Sequence, residues 1–267
     1  MTFEPEVPLT WGAQLAHAER LLATAGLPAP WEEAIELLAA LLGAPAALLR
    51  ARPASSMSQA HAEAYAAWVE RRAAGEAVPH ITGSLLFMGL DFSVGRDSPL
   101  PAPGARRLVE VALQLARRRP PSDLLAAEIG AGCGAVSLAL ASFEPRFTRI
   151  YAVDSSAPAL ETAAANGARY LLNLVMSWVE GAGLESVPVP VDIAICGQFD
   201  RSAPSALRLL ELAPTKLRPG GALICGVADE RGEAASELLA RALPGASIWG
   251  DSQSGEPAIV VAQLPDL

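Results

Sequence analysis

The chain has 267 residues, 51% of them hydrophobic and only 5% aromatic, and a formal net charge of −9 at pH 7. That length suits one large domain or two modest ones with a sizeable core. The acidic balance argues against an extensive nucleic-acid footprint, and no apolar run reaches the roughly 18 residues of a membrane span.

Residues 1–74 read as a helical domain. Thr10 caps a first helix that carries Leu15, Leu21 and Leu22 inward and stops at Gly26. Pro30 opens a second, with Leu37, Leu38, Leu41 and Leu42 on one side, ending at Gly43. A short helix covers 46–51. Ser58 caps a fourth, which carries Tyr65, Trp68 and Val69 before Arg71 and Arg72. These stripes read as bundle core rather than cofactor contacts. Residues 75–102 hold Gly, Pro and short β-like runs (GEAVPHITG, then LLFMGLDFSV), and predict a β-hairpin linker.

Residues 103–267 form the remaining domain. A helix is expected over 105–119, where Arg117, Arg118 and Arg119 complement the helix dipole. Apolar runs then recur at 124–129, 150–153, 174–179, 191–196, 222–227, 246–249 and 258–263, with helical stretches between the first five. This alternation predicts a mostly parallel α/β sheet covered on both faces. Only GDSQSGEP separates the last two runs, too little for a parallel crossover, so the final strand is expected to run antiparallel.

Within that domain, residues 124–134 read LLAAEIGAGCG, and Asp154 ends the run RIYAVD. Strand, glycine turn and helix start bring backbone close to a ligand and offer it free N–H groups. Asp154 lies 24 residues beyond Gly130, where a carboxylate reaches both hydroxyls of a ribose. Gly130-x-Gly132-x-x-Ala135 satisfies the dinucleotide fingerprint, which would suit a nicotinamide-dependent oxidoreductase. No Tyr-x-x-x-Lys pair accompanies it. Glu128-x-Gly130-x-Gly132-x-Gly134 instead resembles the S-adenosylmethionine loop of class I methyltransferases.

Cys133, Cys196 and Cys225 are too widely spaced for a metal or redox pair, and His17, His61 and His80 lack metal-ligand spacing, so no metal is expected. The N-terminus MTFEPEVPLT has no signal-peptide pattern, which with the unpaired thiols reads as cytoplasmic.

Almost the whole chain resembles the bacterial release-factor glutamine methyltransferases. The resemblance rests on GEAVPHITG, Phe87-x-Gly89, Phe92-x-Val94, Pro101-x-Pro103, LVE at 108–110, EIGAGCG, AVD and LRPGG at 217–221. It implies a small helical domain followed by a seven-stranded class I methyltransferase sheet with its last strand antiparallel. It also implies S-adenosylmethionine as cofactor, and a glutamine in the GGQ loop of a peptide chain release factor as substrate. By resemblance, Glu128, Gly130, Gly132 and Gly134 belong to the cofactor loop and Asp154 holds the ribose. Ser177-Trp178 stands where the family has an Asp-Trp pair on the adenine side.

The acceptor side departs from the family. Its Asn-Pro-Pro-Tyr motif reads Gly197-Gln198-Phe199-Asp200 here. In the family the asparagine and the following proline carbonyl accept hydrogen bonds from the substrate amide, whose lone pair is delocalised and must be oriented. The family's PRPETE loop reads Pro101-Ala102-Pro103-Gly104-Ala105-Arg106, and only 22 positions separate Gly197 from Pro219, leaving no room for a long substrate-facing loop. Gln198 and Asp200 are therefore the candidate catalytic residues. Asp200 would serve as a base or orient an amine or hydroxyl; its bland reading is a cap for the helix starting near Ser202 or Ala203. Two outcomes follow: a methyltransferase with altered or impaired catalysis, or a non-catalytic cofactor sensor or interaction module.

Overall fold

The computed structural model describes residues 7–95, 98–120, 122–200, 202–227, 232–251 and 258–266. The chain divides into two compact units, Met1–Ser84 and Leu85–Leu267.

The first unit is helical: α1 (Trp11–Thr24), α2 (Pro30–Leu42), α3 (Ala46–Ala51), α4 (Gln59–Ala73) and α5 (Val78–Thr82). The end signals act as expected. The Thr10 and Ser58 side chains accept the Ala13 and His61 amides, and Gly43 closes α2 in the left-handed region. Leu15, Leu22, Leu37, Leu38, Leu49, Tyr65 and Val69 are buried together. The Tyr65 hydroxyl donates to the Ala34 carbonyl at 2.8 Å, and burial pushes its pKa up. Leu21, expected inside, is exposed. The GEAVPHITG stretch expected as β-like contains α5, with Pro79 in its first turn and left-handed Gly83 at its end. The hairpin of the expected 75–102 linker is the narrower pair β1 (Ser84–Phe87) and β2 (Leu90–Ser93).

The second unit continues with α6 (Ala105–Arg118), β3 (Leu124–Ile129), α7 (Ala135–Phe143), β4 (Phe147–Asp154), α8 (Ala157–Arg169) and β5 (Met176–Glu180). Then follow β6 (Val191–Cys196), α9 (Pro204–Lys216), β7 (Leu217–Val227), α10 (Glu233–Ala242), β8 (Ser247–Asp251) and β9 (Ala258–Gln263). The sheet order is β5-β4-β3-β6-β7-β9-β8; β3 to β7 are parallel, and β9 runs antiparallel to both β7 and β8. This is the seven-stranded, mostly parallel sheet expected from the spacing of apolar runs. One cluster of buried side chains joins α6 and α7 to one face, and a second joins α9 and α10 to the other. The 217–221 stretch is not a turn preceding a strand. It belongs to β7, with a register shift against β6 that absorbs Pro219 and left-handed Gly220.

Below the sheet, buried Asp192 at the start of β6 accepts from Arg119 (2.9 Å), Arg218 (3.0 Å) and the Leu125 amide (2.8 Å). Arg119, expected only to complement the α6 dipole, thus ties that helix's end to β6. This network lies at the opposite end of the strands from the glycine loop and holds the scaffold rather than a ligand.

Candidate functional site

In parallel α/β sheets, ligands sit beyond the carboxyl ends of the strands, where the order reverses. Here β3 lies between β4 and β6, and a cavity of about 470 Å³ opens at their carboxyl ends. That volume is within the ordinary range for small-molecule sites.

The glycine loop forms one wall. Gly130 and Gly132 line the cavity, both with positive φ. At Gly132 a side chain is excluded twice over, because a Cβ would also stand 2.6 Å from the Pro99 carbonyl oxygen. Gly134 lies just below, as the left-handed N-cap of α7, and faces Ala163 and Trp178 rather than the cavity.

Two carboxyl groups fix the loop. Glu128 is fully buried near the end of β3 and accepts the Ser137 amide at 2.9 Å, together with the Ser137 hydroxyl. One first-turn amide of α7 is therefore already taken by an acid of the protein. Burial, reinforced by the nearby Asp154 charge and opposed by the Ser137 bonds, pushes the Glu128 pKa up to about 8. Asp154, 7% exposed at the end of β4, accepts Gly132 N–H at 2.8 Å and Ser156 N–H at 2.9 Å. A carboxylate has about four acceptor positions, so these two bonds leave about two for a ligand.

Ser177 and Trp178, expected on the adenine side, are not among the cavity's lining residues. They sit in the middle of β5, paired with Tyr151 and Ala152, and point to opposite faces of the sheet. Trp178 packs over Gly134 and Gly167 and donates to Asn173, while the Ser177 hydroxyl meets Arg149 at 3.5 Å. The rim at this edge comes from Gly181, Ala182 and Gly183, directly after β5. The signal for them was the GAG triplet closing an apolar run.

The opposite wall consists of Pro99, Leu100, Pro101, Ala102 and Ala105, facing the 195–200 stretch and Ser205, Ala206 and Leu209. Gly197 and exposed Gln198 both line the cavity. Phe199 is buried and its amide donates to the Gly226 carbonyl at 2.8 Å. Asp200 also lines the cavity, and its Oδ1 accepts the Ser202 amide (2.9 Å) and hydroxyl (2.6 Å). That is an Asx-type turn ahead of α9, whose N-cap is Ala203. The step from β6 to α9 is only seven residues, 197–203, and α9 occupies the length where a long loop would otherwise run. Arg106 points outward and pairs with Glu110.

Cys196 borders the cavity, but burial pushes its thiol up to about 11, which leaves it neutral at pH 7. Among the described residues no cluster of His, Cys, Asp and Glu could hold a metal, and no helix is long and apolar enough to cross a membrane.

Residues 13–83 match the PrmC N-terminal domain family. A release factor glutamine methyltransferase of Moorella thermoacetica is 31% identical over 258 residues, covering 86% of this chain and 89% of that protein. One from Xylella fastidiosa is 34% identical over 208 residues, 68% of this chain and 74% of the relative. Two solved structures share the fold at low identity. The M. jannaschii tRNA m1G37 methyltransferase has a TM-score of 0.54 at 14% identity, over 69% of this chain and 57% of its own. A SAM-dependent methyltransferase from Agrobacterium tumefaciens has 0.51 at 15% identity, over 68% of this chain and 70% of its own. The fold is that of the class I methyltransferases.

Proposed function

Because the chain belongs to the release factor glutamine methyltransferase family, we propose that it binds S-adenosylmethionine at the ends of β3 to β6, as a divergent paralogue with altered or impaired catalysis. The observation that carries the cofactor reading is the charge of the cavity. Its lining includes the carboxylates Asp154 and Asp200, with Glu128 held largely protonated at pH 7 by burial, and no Lys, Arg or His among the described residues. A sulfonium cation suits such a site. The pyrophosphate of a nicotinamide dinucleotide would meet like charge, and would compete with Glu128 for the start of α7.

The residues fit this cofactor. The remaining acceptor positions of Asp154 would hold the ribose hydroxyls, the backbone at Gly130 and Gly132 would admit the methionine end, and the 181–183 rim would leave space for the adenine. Bound cofactor supplies an electrophilic methyl group on sulfur.

The acceptor half is where this chain differs. An amide nitrogen needs fixed acceptors to turn its lone pair toward the methyl group. Gly197 brings none, and losing one such positioned group costs about 10²–10³ in rate. Phe199 changes the backbone as well: its N–H anchors the loop to Gly226, a bond that a proline at this position cannot make. Gln198 and Asp200 are the polar groups left at the position of the family motif. Gln198 would position an acceptor, and Asp200 would receive a proton or orient an amine or hydroxyl while keeping its turn with Ser202. The partner class is a protein substrate such as a peptide chain release factor.

A second reading, a cofactor sensor or interaction module without turnover, is favoured by the same Gly197. The test is calorimetric titration with S-adenosylmethionine and with S-adenosylhomocysteine, followed by methyl transfer to a release factor. Micromolar binding with transfer establishes an enzyme, and binding without transfer to this or other acceptors establishes a sensor. No binding of either molecule overturns the cofactor reading.

A further inference from the structure

Asn166 is a deeply buried polar side chain near the glycine loop without a place in the cavity. It sits on α8, 1% exposed. Its Nδ2 donates to the Ser93 carbonyl at 2.9 Å and to the Cys133 carbonyl at 3.0 Å, and its Oδ1 accepts the Ser93 amide at 2.8 Å. One carboxamide thus joins three elements: the last residue of β2, the helix α8, and the glycine loop between Gly132 and Gly134.

The strand end that Asn166 grips leads toward the acceptor wall, since the chain beyond Ser93 supplies Pro99 to Ala102. That wall also touches the loop directly, with the Pro99 carbonyl lying over the Cα of Gly132. The Gly132–Gly134 segment is therefore held from one side by Pro99, from another by Asp154, and from behind by Asn166. Only a group with two donors and an acceptor in one plane satisfies this arrangement. Aspartate of the same size would set one oxygen against two carbonyls, and leucine would leave all three backbone groups without this side-chain partner.

We propose that Asn166 is a positioning residue that couples the cofactor loop to the acceptor-side wall, so that cofactor occupancy and the order of Ser93 and of Pro99 to Ala102 rise and fall together. This rests on the cofactor reading above for its ligand, but the linkage itself is a property of the empty protein. It also accounts for a polar side chain buried where an apolar one would pack: the carboxamide answers the three backbone groups that meet there.

Two substitutions separate positioning from docking of the hairpin. Asn166→Leu removes all three bonds. Tyr170→Phe cuts another attachment of the same hairpin, the Tyr170 hydroxyl bonds with the Asp91 amide (2.7 Å) and carbonyl (2.8 Å), and leaves the glycine loop and the Arg169 bond to the Asp91 carbonyl untouched. Amide hydrogen exchange on the unliganded full chain should quicken at least about tenfold at Gly132, Gly134 and Ser93 in Asn166→Leu, and only around Asp91 in Tyr170→Phe. Affinity for S-adenosylmethionine should fall at least about tenfold in the first variant and less than about twofold in the second. Should Asn166→Leu not fold, Asn166→Asp, which keeps an acceptor for the Ser93 N–H but loses both donations, carries the exchange test at Gly132 and Gly134. In the wild type, adding cofactor should slow exchange at Ser93 as well as in the loop.

The proposal is overturned if Gly132 and Gly134 exchange at the wild-type rate in the Asn166 variant, or if Tyr170→Phe weakens binding as much. If the wild type binds no cofactor, the cofactor reading fails and the exchange rates alone decide the coupling.

Discussion

Replacing Asp154 with alanine tests the cofactor half of the site at its most exposed assumption. The Asp154 carboxylate already accepts Gly132 N–H at 2.8 Å and Ser156 N–H at 2.9 Å. About two of its four acceptor positions remain for the ribose. Hydrogen bonds to a charged group are worth about 1.5–3 kcal/mol each, so losing two costs ~3–6 kcal/mol. At about 1.4 kcal/mol per decade, that is roughly 10²–10⁴ in Kd. A micromolar wild type, about −8 kcal/mol, would drop to a Kd of roughly 0.1–10 mM, which titration at high protein concentration reads as a loss of at least about a hundredfold. The variant also leaves the buried Gly132 amide without its acceptor, at about 1–3 kcal/mol of stability, so titration is done well below its Tm. Asp154→Asn retains the size and one acceptor oxygen and should fall between the two. Unchanged affinity in Asp154→Ala would refute the site, because no other described carboxylate lies at the end of β4.

Gly197→Asn restores the family side chain at a position with room for it, since a Cβ there meets only Ala102 and Leu108, both at 3.9 Å. Methylation of a GGQ-containing release factor should rise at least about tenfold, part of the 10²–10³ that a positioned group contributes. No gain would show that the Phe199–Gly226 anchor, rather than the missing side chain, limits amide chemistry. Ser177→Asp, which restores the acid at the motif position, should change cofactor affinity less than about twofold, because Ser177 lies outside the cavity; a marked gain in binding would overturn that placement. Glu128 has its folded-state pKa raised from 4.5 to about 8, so the folded protein holds its proton more tightly than the unfolded chain. The stability this brings is full below about pH 4.5 and is lost as pH rises through about 8. Glu128→Gln, which keeps an acceptor for Ser137, should flatten the decline of Tm over that window; an unaltered slope would assign the decline to other groups.

The sheet was legible because a strand buried on both faces reads as a largely apolar run, and the parallel 124–129 and 191–196 and the antiparallel 258–263 begin and end where the runs do. Where strands and motifs met, the reading was weaker. The Asp-Trp pair was placed on Ser177-Trp178 by residue type, but a one-dimensional match carries no information on where a strand stops. β5 continues to Glu180, so the cavity edge falls on the 181–183 rim three residues later. The short helix α5 was read as extended although Pro79 and Gly83 bracket it with start and stop signals. Its five residues are too few for an apolar period to emerge. Nor could a sequence place Asn166 beside Ser93 and Cys133, since those contacts span 73 and 33 residues and depend on the packing of α8.

The unequal fate of the two halves of the cavity follows from what each is made of. The cofactor half is built from backbone: left-handed glycines, amides held by Glu128 and Asp154, and a loop clamped by Pro99. Changing any of these strains the strand–turn–helix junction itself, so a departure there costs stability as well as binding. The acceptor half is made of side chains on a seven-residue step between β6 and α9, where Gly197 leaves open space and Phe199 secures the loop from the protein interior. Such a step accepts substitution with less loss of fold, because among its described residues Phe199 is the buried side chain and Gln198 is exposed. On the proposed reading, Gly197 to Asp200 would decide the chemistry, on a scaffold whose other features fit S-adenosylmethionine. A gain of amide methylation in Gly197→Asn without a change in Tm would demonstrate that independence, and a coupled loss of stability would show that the two halves are not separable.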